Sequence, residues 1–284
     1  MKVLVTGAGS LLLGGVAQQL GERGDEVVCF QRRVSETPHQ NITMFAGDIR
    51  DRGSVTEAAV GCDAIIHGAA RVGVMGSWED FYSTNVDGTI NILRAANEHR
   101  ISKLVYVSTP SVAHVGHAIE GDVATPATTG RKHAHYAESK AQAEILALLA
   151  NSAELGVVAI RPHLVWGPGD TQLVGRIVER ARQGRLVMVG SGHALVDSTY
   201  IDNAVSGLYS ISNTGGTPTS YSISPSTLAA GLSFSTSTGL ITGTPTATRA
   251  ATTYTITATN SGGSSSDTIS ITVTDPPDAP TPTF

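Results

Sequence analysis

The chain has 284 residues, enough for one large domain or two smaller ones, and a net charge of −5. That balance offers no basic surface for nucleic acid and no polybasic run for a lipid surface, and no apolar run approaches the ~18 residues of a membrane span. Composition breaks in the middle: of 19 lysines and arginines only Arg249 lies beyond residue 210, where Ser, Thr, Gly and Pro take over.

The first predicted element is "KVLVT" (2–6), whose apolar run is stopped by Thr6-Gly7. A run that short argues against a secretory signal peptide and for a cytoplasmic protein. Five further Val/Ile/Leu-rich runs follow as strands: "EVVCF" (26–30), "ITMF" (42–45), "DAIIH" (63–67), "KLVYVS" (103–108) and "GVVAIRP" (156–162). Their near-continuous apolar content suits strands buried on both faces. Between them "LLLGGVAQQLGERG", "SVTEAAVG", "NVDGTINILRAANEH" and "SKAQAEILALLANSAELG" carry helical patterns. The alternation predicts an α/β fold, a Rossmann-type doubly wound parallel sheet with right-handed crossovers. Ligands then belong beyond the carboxyl ends of the strands, at Thr6–Gly9, Gln31–Arg33, Gly68–Arg71 and Ser108–Ser111. Cys29 and Cys62 sit in apolar runs and read as buried small hydrophobes, not a disulfide.

Beyond the break, "TSYSIS", "LSFS", "LIT", "TTYTITAT" and "DTISITVT" alternate apolar and hydroxyl residues with period two, separated by "STG", "GTPTA" and "NSGG". This predicts a small all-β sandwich over 211–275, with the linker-like "SNTGGTPTS" (212–220) as its leading edge and an extended tail over 276–284. Residues 1–210 form the other domain.

Two stretches bear on chemistry. In "VTGAGSLLLGGVAQQL" (5–20), Gly7 opens a turn between strand and helix, but Ser10 and Leu13 stand where a Gly-x-x-Gly-x-x-Gly loop has its second and third glycines. In "YAESK", Tyr136 and Lys140 lie four apart at a helix start, on one face. A phenol with a reference pKa of ~10 is a poor acid–base group at neutral pH, and an adjacent ammonium would lower that value. Such a pair can protonate a carbonyl oxygen while hydride arrives at carbon. On its own the spacing is weak, since most such pairs are solvated helix faces. His114/His117 and His133/His135 lack the carboxylates or cysteines that would complete a metal site, so no metal is expected. His133 and His135 flank Tyr136 and, with Trp78 and Trp166, are candidates for a substrate pocket.

"VTGAG", "GDIRD", "DAIIHGAA", "GSWEDFYSTNVDGTINILRAA", "LVYVSTPSV", "YAESKAQAE", "RPHLVWGPGD" and "LVDSTYIDNAVSGL" occur in that order over residues 1–209. On these stretches the segment resembles the extended short-chain dehydrogenase/reductases. It is nearest their 3β-hydroxysteroid dehydrogenase-like branch in the epimerase/dehydratase family, close to 2-alkyl-3-ketoalkanoate reductases. The resemblance implies a Rossmann sheet with a nicotinamide dinucleotide along its carboxyl edge and Tyr136 as general acid/base. Lys140 becomes its pKa partner and ribose contact, and Thr109 the hydroxyl that polarises the carbonyl, with Ser108 and Ser111 weaker candidates. Gly7, Gly9, Ser10, Leu12, Gln31, Arg32, Arg33, Asp48, Ile49, Ala69, Lys140 and Pro162 are the implied cofactor contacts, with His67–Ala70 lining the cleft. Asp202-Asn203 fall on a motif taken as structural.

Ser10 could offer its N–H and hydroxyl to a phosphate. Leu13 crowds the loop, so the reading is a cofactor loop of weakened affinity that Leu13→Gly should tighten. An acidic residue at the end of the second strand would hold the ribose hydroxyls of NAD. Gln31-Arg32-Arg33 stand there instead, and a guanidinium suits a 2′-phosphate, so NADP is expected over NAD.

"GL-F---TG-I-GTP" in the second half resembles the immunoglobulin-like repeats of bacterial surface proteins. Each resemblance is cut near residue 210: the reductase half stops before the usual substrate subdomain and the β-module lacks its first strand, which implies a fusion. The expected activity is reduction of a small ketone, or oxidation of the matching alcohol, by an enzyme that could form a homodimer. A sugar-nucleotide epimerase or dehydratase, and a non-catalytic scaffold or surface-binding β-module, are the alternatives.

Overall fold

The computed structural model describes residues 1–33, 39–73, 75–114, 125–130, 134–170, 174–187, 197–211, 218–243, 245–260 and 263–273. His117, His133, most of the linker and the 276–284 tail lie outside them. The chain divides into two compact units, one holding the described residues up to 211 and the other those from 218 onward.

The first unit runs β1 (Lys2–Thr6), α1 (Leu11–Glu22), β2 (Glu26–Gln31), β3 (Ile42–Ala46), α2 (Arg52–Ala58), β4 (Ala64–His67), α3 (Trp78–Phe81), a π-helical segment Tyr82–Asp87, α4 (Gly88–Glu98), β5 (Lys103–Val107), α5 (His135–Leu149) and β6 (Gly156–Ile160). These six strands form a parallel sheet in the order β3-β2-β1-β4-β5-β6. The six strand predictions fall on them. The order reverses between β1 and β4, the switch point where open α/β sheets bind ligands. There Thr6 stands opposite His67, and His67 opposite Tyr106.

Alternation along each strand splits the core. Val3, Val5 and Ile66 face α1 (Leu13, Val16, Leu20), while Leu4, Ile65 and Leu104 face α2 and α4 (Val55, Ile92, Ala96). The first face is completed by α7 (Ile201–Ile211) through Ala204, Val205 and Leu208. A Cβ on Gly15 would stand 2.9 Å from Val205, so the bare glycine lets α7 settle on α1. Between β6 and α7 lie β7 (Val165–Trp166), α6 (Val174–Arg182) and β8 (Thr199–Tyr200); β7 and β8 pair in parallel, and α6 has no buried residue.

The helical stretch over 78–84 has no counterpart among the predicted elements, whose pattern starts at Asn85. Ser77 and Asp80 close a capping box at its start. The chain then continues unbroken through the π segment into α4.

The second unit holds β9 (Ser220–Ser224), β10 (Leu232–Phe234), β11 (Ile241–Gly243), β12 (Arg249–Asn260) and β13 (Gly263–Val273). A three-stranded antiparallel sheet, β13-β12-β9, and a β10–β11 hairpin make a small β domain. Tyr254 is its fully buried aromatic, donating its hydroxyl proton to the Thr227 carbonyl at 3.2 Å.

Candidate active site

The turn after β1 needs glycine at its first position. Gly7 has φ +81°, and a Cβ there would stand 2.9 Å from the Ala69 nitrogen. The β1 and β4 loops therefore meet backbone to backbone at the switch point. A Cβ on Gly9 would press Gln31 Oε1 at 2.9 Å, which draws the end of β2 into the same cradle.

The two missing glycines have separate answers. Ser10 is the N-cap of α1 and its Oγ accepts the Leu13 N–H at 3.3 Å, so the hydroxyl closes the helix end with its oxygen and keeps its own proton to donate. Leu13 is 3% exposed, and a Cβ on Gly68 would lie 2.7 Å from its Cδ2. Gly68 thus yields the volume that Leu13 takes, and the crowding expected at the loop is relieved across the switch point. Leu12 sends its side chain into the core.

At the end of β5, Thr109 caps a short 3₁₀ turn (Pro110–Val112), accepting the Ser111 N–H at 3.4 Å. Its side chain lies near enough to the Tyr136 hydroxyl to pull that phenol downward. Tyr136 lies in the first turn of α5, and burial pushes its phenol above the usual value of 10, Thr109 offsetting only part of this. Lys140 is 3% exposed; its Nζ donates to the Val107 carbonyl at 2.7 Å and sits 4.2 Å from the centre of the Tyr106 ring. Burial lowers the ammonium to about 7, against the pull of Glu144. The expectation that Lys140 depresses Tyr136 is therefore corrected. The ammonium is held by a carbonyl and a ring face, and desolvation governs both groups. Ser108 Oγ is buried with no hydrogen-bond partner, and the Tyr106 hydroxyl faces Thr89 outside hydrogen-bond geometry.

His67, at the end of β4, is 1% exposed between Thr6 Oγ1 at 2.7 Å and Thr89 Oγ1 at 3.1 Å. Burial, then the Lys140 charge, drives its pKa to about 3. An unfolded histidine titrates near ~6.5, so between those values the unfolded chain binds the extra proton. Stability should therefore fall as pH drops from 6.5 toward 3. Melting temperature against pH checks this, with His67→Gln expected to remove that part of the slope.

Asn85, from the π segment, was not singled out in the sequence. It is 1% exposed and bonds both the Arg71 backbone and Ser139 of α5. Asn85 and Thr89, polar residues four apart within a helical apolar pattern, were the available signal.

On the β2–β3 side, Arg32 and Arg33 are exposed just beyond β2. Asp48 is bonded by Arg50 (Nε 2.9 Å, Nη2 2.7 Å), which with the Arg32 charge holds it down to about 2. Ile49 is a core residue against Gly88. Ala69 donates its N–H to Thr6 Oγ1 at 3.1 Å, and Pro162 follows β6. Trp78, Phe81 and His135 cluster beside Tyr136, with ring centres 5.9 and 6.2 Å from His135. Trp166 packs on Tyr200 at 5.2 Å, and His114 lies after the 3₁₀ turn. Asp202 and Asn203 begin α7. Among the described residues no three His, Cys, Asp or Glu gather as a metal site.

Residues 194–274 match a family described as "Putative Ig domain". The 2-alkyl-3-oxoalkanoate reductase of Stenotrophomonas maltophilia is 46% identical over 207 residues, covering 72% of this chain and 63% of that protein. The reductase of the same name from Shewanella oneidensis is 40% identical over 208 residues, covering 70% and 54%. The chain thus spans less than two thirds of the length of these relatives. Among solved structures, MoeE5 in complex with UDP-glucuronic acid and NAD is 25% identical with a TM-score of 0.66, covering 76% of this chain and 73% of that one. Residues 6–208 match the 3-beta hydroxysteroid dehydrogenase/isomerase family, and the chain belongs to it.

Proposed function

We propose that this chain is a cytoplasmic NADP-dependent oxidoreductase that reduces a small ketone or oxidises the matching secondary alcohol. The observation that carries the reading is the Thr109–Tyr136 hydroxyl pair beside a buried Lys140, at the carboxyl ends of β5 and α5's neighbouring strands. The β-module is read as a passenger with no part in the chemistry.

The residues fit a dinucleotide. The Gly7–Gly9 turn lacks the Cβ atoms that would fill it, α1 begins under Ser10, and Lys140 keeps donors beyond the one given to Val107. A bound nicotinamide dinucleotide supplies or takes the hydride. Tyr136 holds the proton for the carbonyl oxygen, and its raised pKa keeps that proton in place through neutrality. Thr109 orients the phenol and offers a second hydroxyl to the same oxygen. Lys140 is poised to bond the ribose. Free, buried Cys29 and Cys62 accord with a reducing compartment. No helix among the described residues is long and apolar enough to cross a membrane.

The test is a panel of small ketones with NADPH and NADH. Turnover should favour NADPH, and replacing Arg32 and Arg33 together by Ser should raise the KM for NADPH far more than for NADH. Equal effects on the two cofactors would remove the 2′-phosphate role. Turnover of a UDP-sugar with none of the ketones would select the epimerase reading instead.

A further inference from the structure

The buried polar groups between the glycine turn and α5 make one chain whose proton positions can be worked out. Arg71 N–H can only donate and its carbonyl can only accept, which fixes Asn85 with Oδ1 on the first at 2.7 Å and Nδ2 on the second at 3.1 Å. The same Nδ2 donates to Ser139 Oγ at 2.9 Å, and Ser139 gives its own proton to the Tyr136 carbonyl at 3.0 Å. On the other side, the backbone carbonyl of Asn85 takes the Thr89 hydroxyl proton at 2.7 Å, so the run passes through Asn85 by its main chain. With that proton committed, the Thr89 oxygen accepts from His67 Nε2, so Nε2 carries the hydrogen and Nδ1 accepts the Thr6 hydroxyl. Thr6 Oγ1 in turn accepts the N–H groups of Gly68 and Ala69, at 3.2 and 3.1 Å, against which Gly7 is seated.

Every side chain in the run is at most 1% exposed: Thr6, His67, Asn85, Thr89 and Ser139. No water competes for these bonds, and breaking one leaves a buried polar group unpaired. The register explains why the run exists, since pairing of β1 with β4 brings Thr6 beside His67.

We propose that Thr6, His67, Thr89, Asn85 and Ser139 form a directed hydrogen-bond relay that ties the glycine turn to the first turn of α5, with His67 and Thr89 as positioning residues for Tyr136. The link to catalysis rests on the oxidoreductase reading above; the direction of the relay does not.

Two measurements on the full chain test it. In ¹⁵N-histidine-labelled protein, the His67 ring should be the neutral Nε2–H form from pH 5 to 9. An Nδ1–H ring or an imidazolium in that range overturns the relay, whether or not the protein has any activity. Thr89→Val, which keeps the shape and removes the hydroxyl, should weaken dinucleotide affinity and lower kcat, each on the order of tenfold, with little change in the KM for the ketone. Thr89→Ser should restore both. Unchanged dinucleotide affinity in Thr89→Val, or equal losses in Val and Ser, would refute the coupling. A parent protein that binds no dinucleotide would sink the oxidoreductase reading, and the ring-nitrogen result would then decide the relay alone.

Discussion

Tyr136→Phe is expected to lower carbonyl reduction by ~10²–10⁴-fold while the protein stays folded, because the lost hydroxyl is the proposed proton donor. The ring keeps its packing, and the Thr109 side chain retains Ser111 as a partner. Burial raises the phenol, so its proton stays bound through the neutral range. Reduction, which needs the phenol, should be flat across neutrality and decline only in alkali. Alcohol oxidation, which needs the phenolate, should climb over that same alkaline range. Stopped-flow or steady-state assays with any ketone the parent reduces would read both. A Phe variant with near-parental turnover would remove Tyr136 from the mechanism, whereas a reduction rate that falls through pH 7 would report loss of the Lys140 ammonium, which burial lowers to about 7.

Leu13→Gly should destabilise the protein by about 2–6 kcal/mol. Emptying a buried leucine site costs about 2–5 kcal/mol. A glycine in a helix costs up to about 1 kcal/mol more. The residue sits in the core with Val3, Val16 and Leu20, and its methyls fill the space that Gly68 leaves. Restoring the glycine that the loop pattern calls for therefore carries a stability cost, separate from any gain in dinucleotide affinity. Denaturant unfolding would measure the loss. A change below ~1 kcal/mol would mean that the cavity collapses around Gly68 or that Leu13 packs less closely. A double variant, Gly68→Ala with Leu13→Gly, should recover part of the deficit by refilling the space from the other side.

That exchange shows where sequence reading stops. The six strands were legible as short apolar runs, near-continuously buried in β1, β4 and β5 and only partly buried in the edge strands β3 and β6, and the alternation with helices implied a parallel sheet. Tyr136, Lys140 and Thr109 were legible as positions, from motifs carried in family order. Their partners were not. Lys140, on α5, bonds the carbonyl of Val107 on β5, and Leu13 depends on a glycine of the β4 loop, contacts that only the tertiary fold creates, while the Ser10 oxygen caps its own helix. The helix over 78–84 was missed for a local reason: its capping box was written in Ser77 and Asp80, but the segment has too few apolar residues in period to stand out.

The seating of Val205 on Gly15 has a consequence for synthesis. The two residues lie about 190 positions apart, so the outer face of α1 stays uncovered until α7 has left the ribosome. At ~5–20 residues per second, the nascent chain carries Leu12 and Val16 without their final cover for roughly ten seconds or more. Formation of such a distant contact is slow because the chain entropy is lost before the contact rewards it. The N-terminal half of α1 is therefore among the last parts of the sheet's surroundings to become rigid, and chaperone capture of ribosome-stalled chains should end only once residues near 208 emerge.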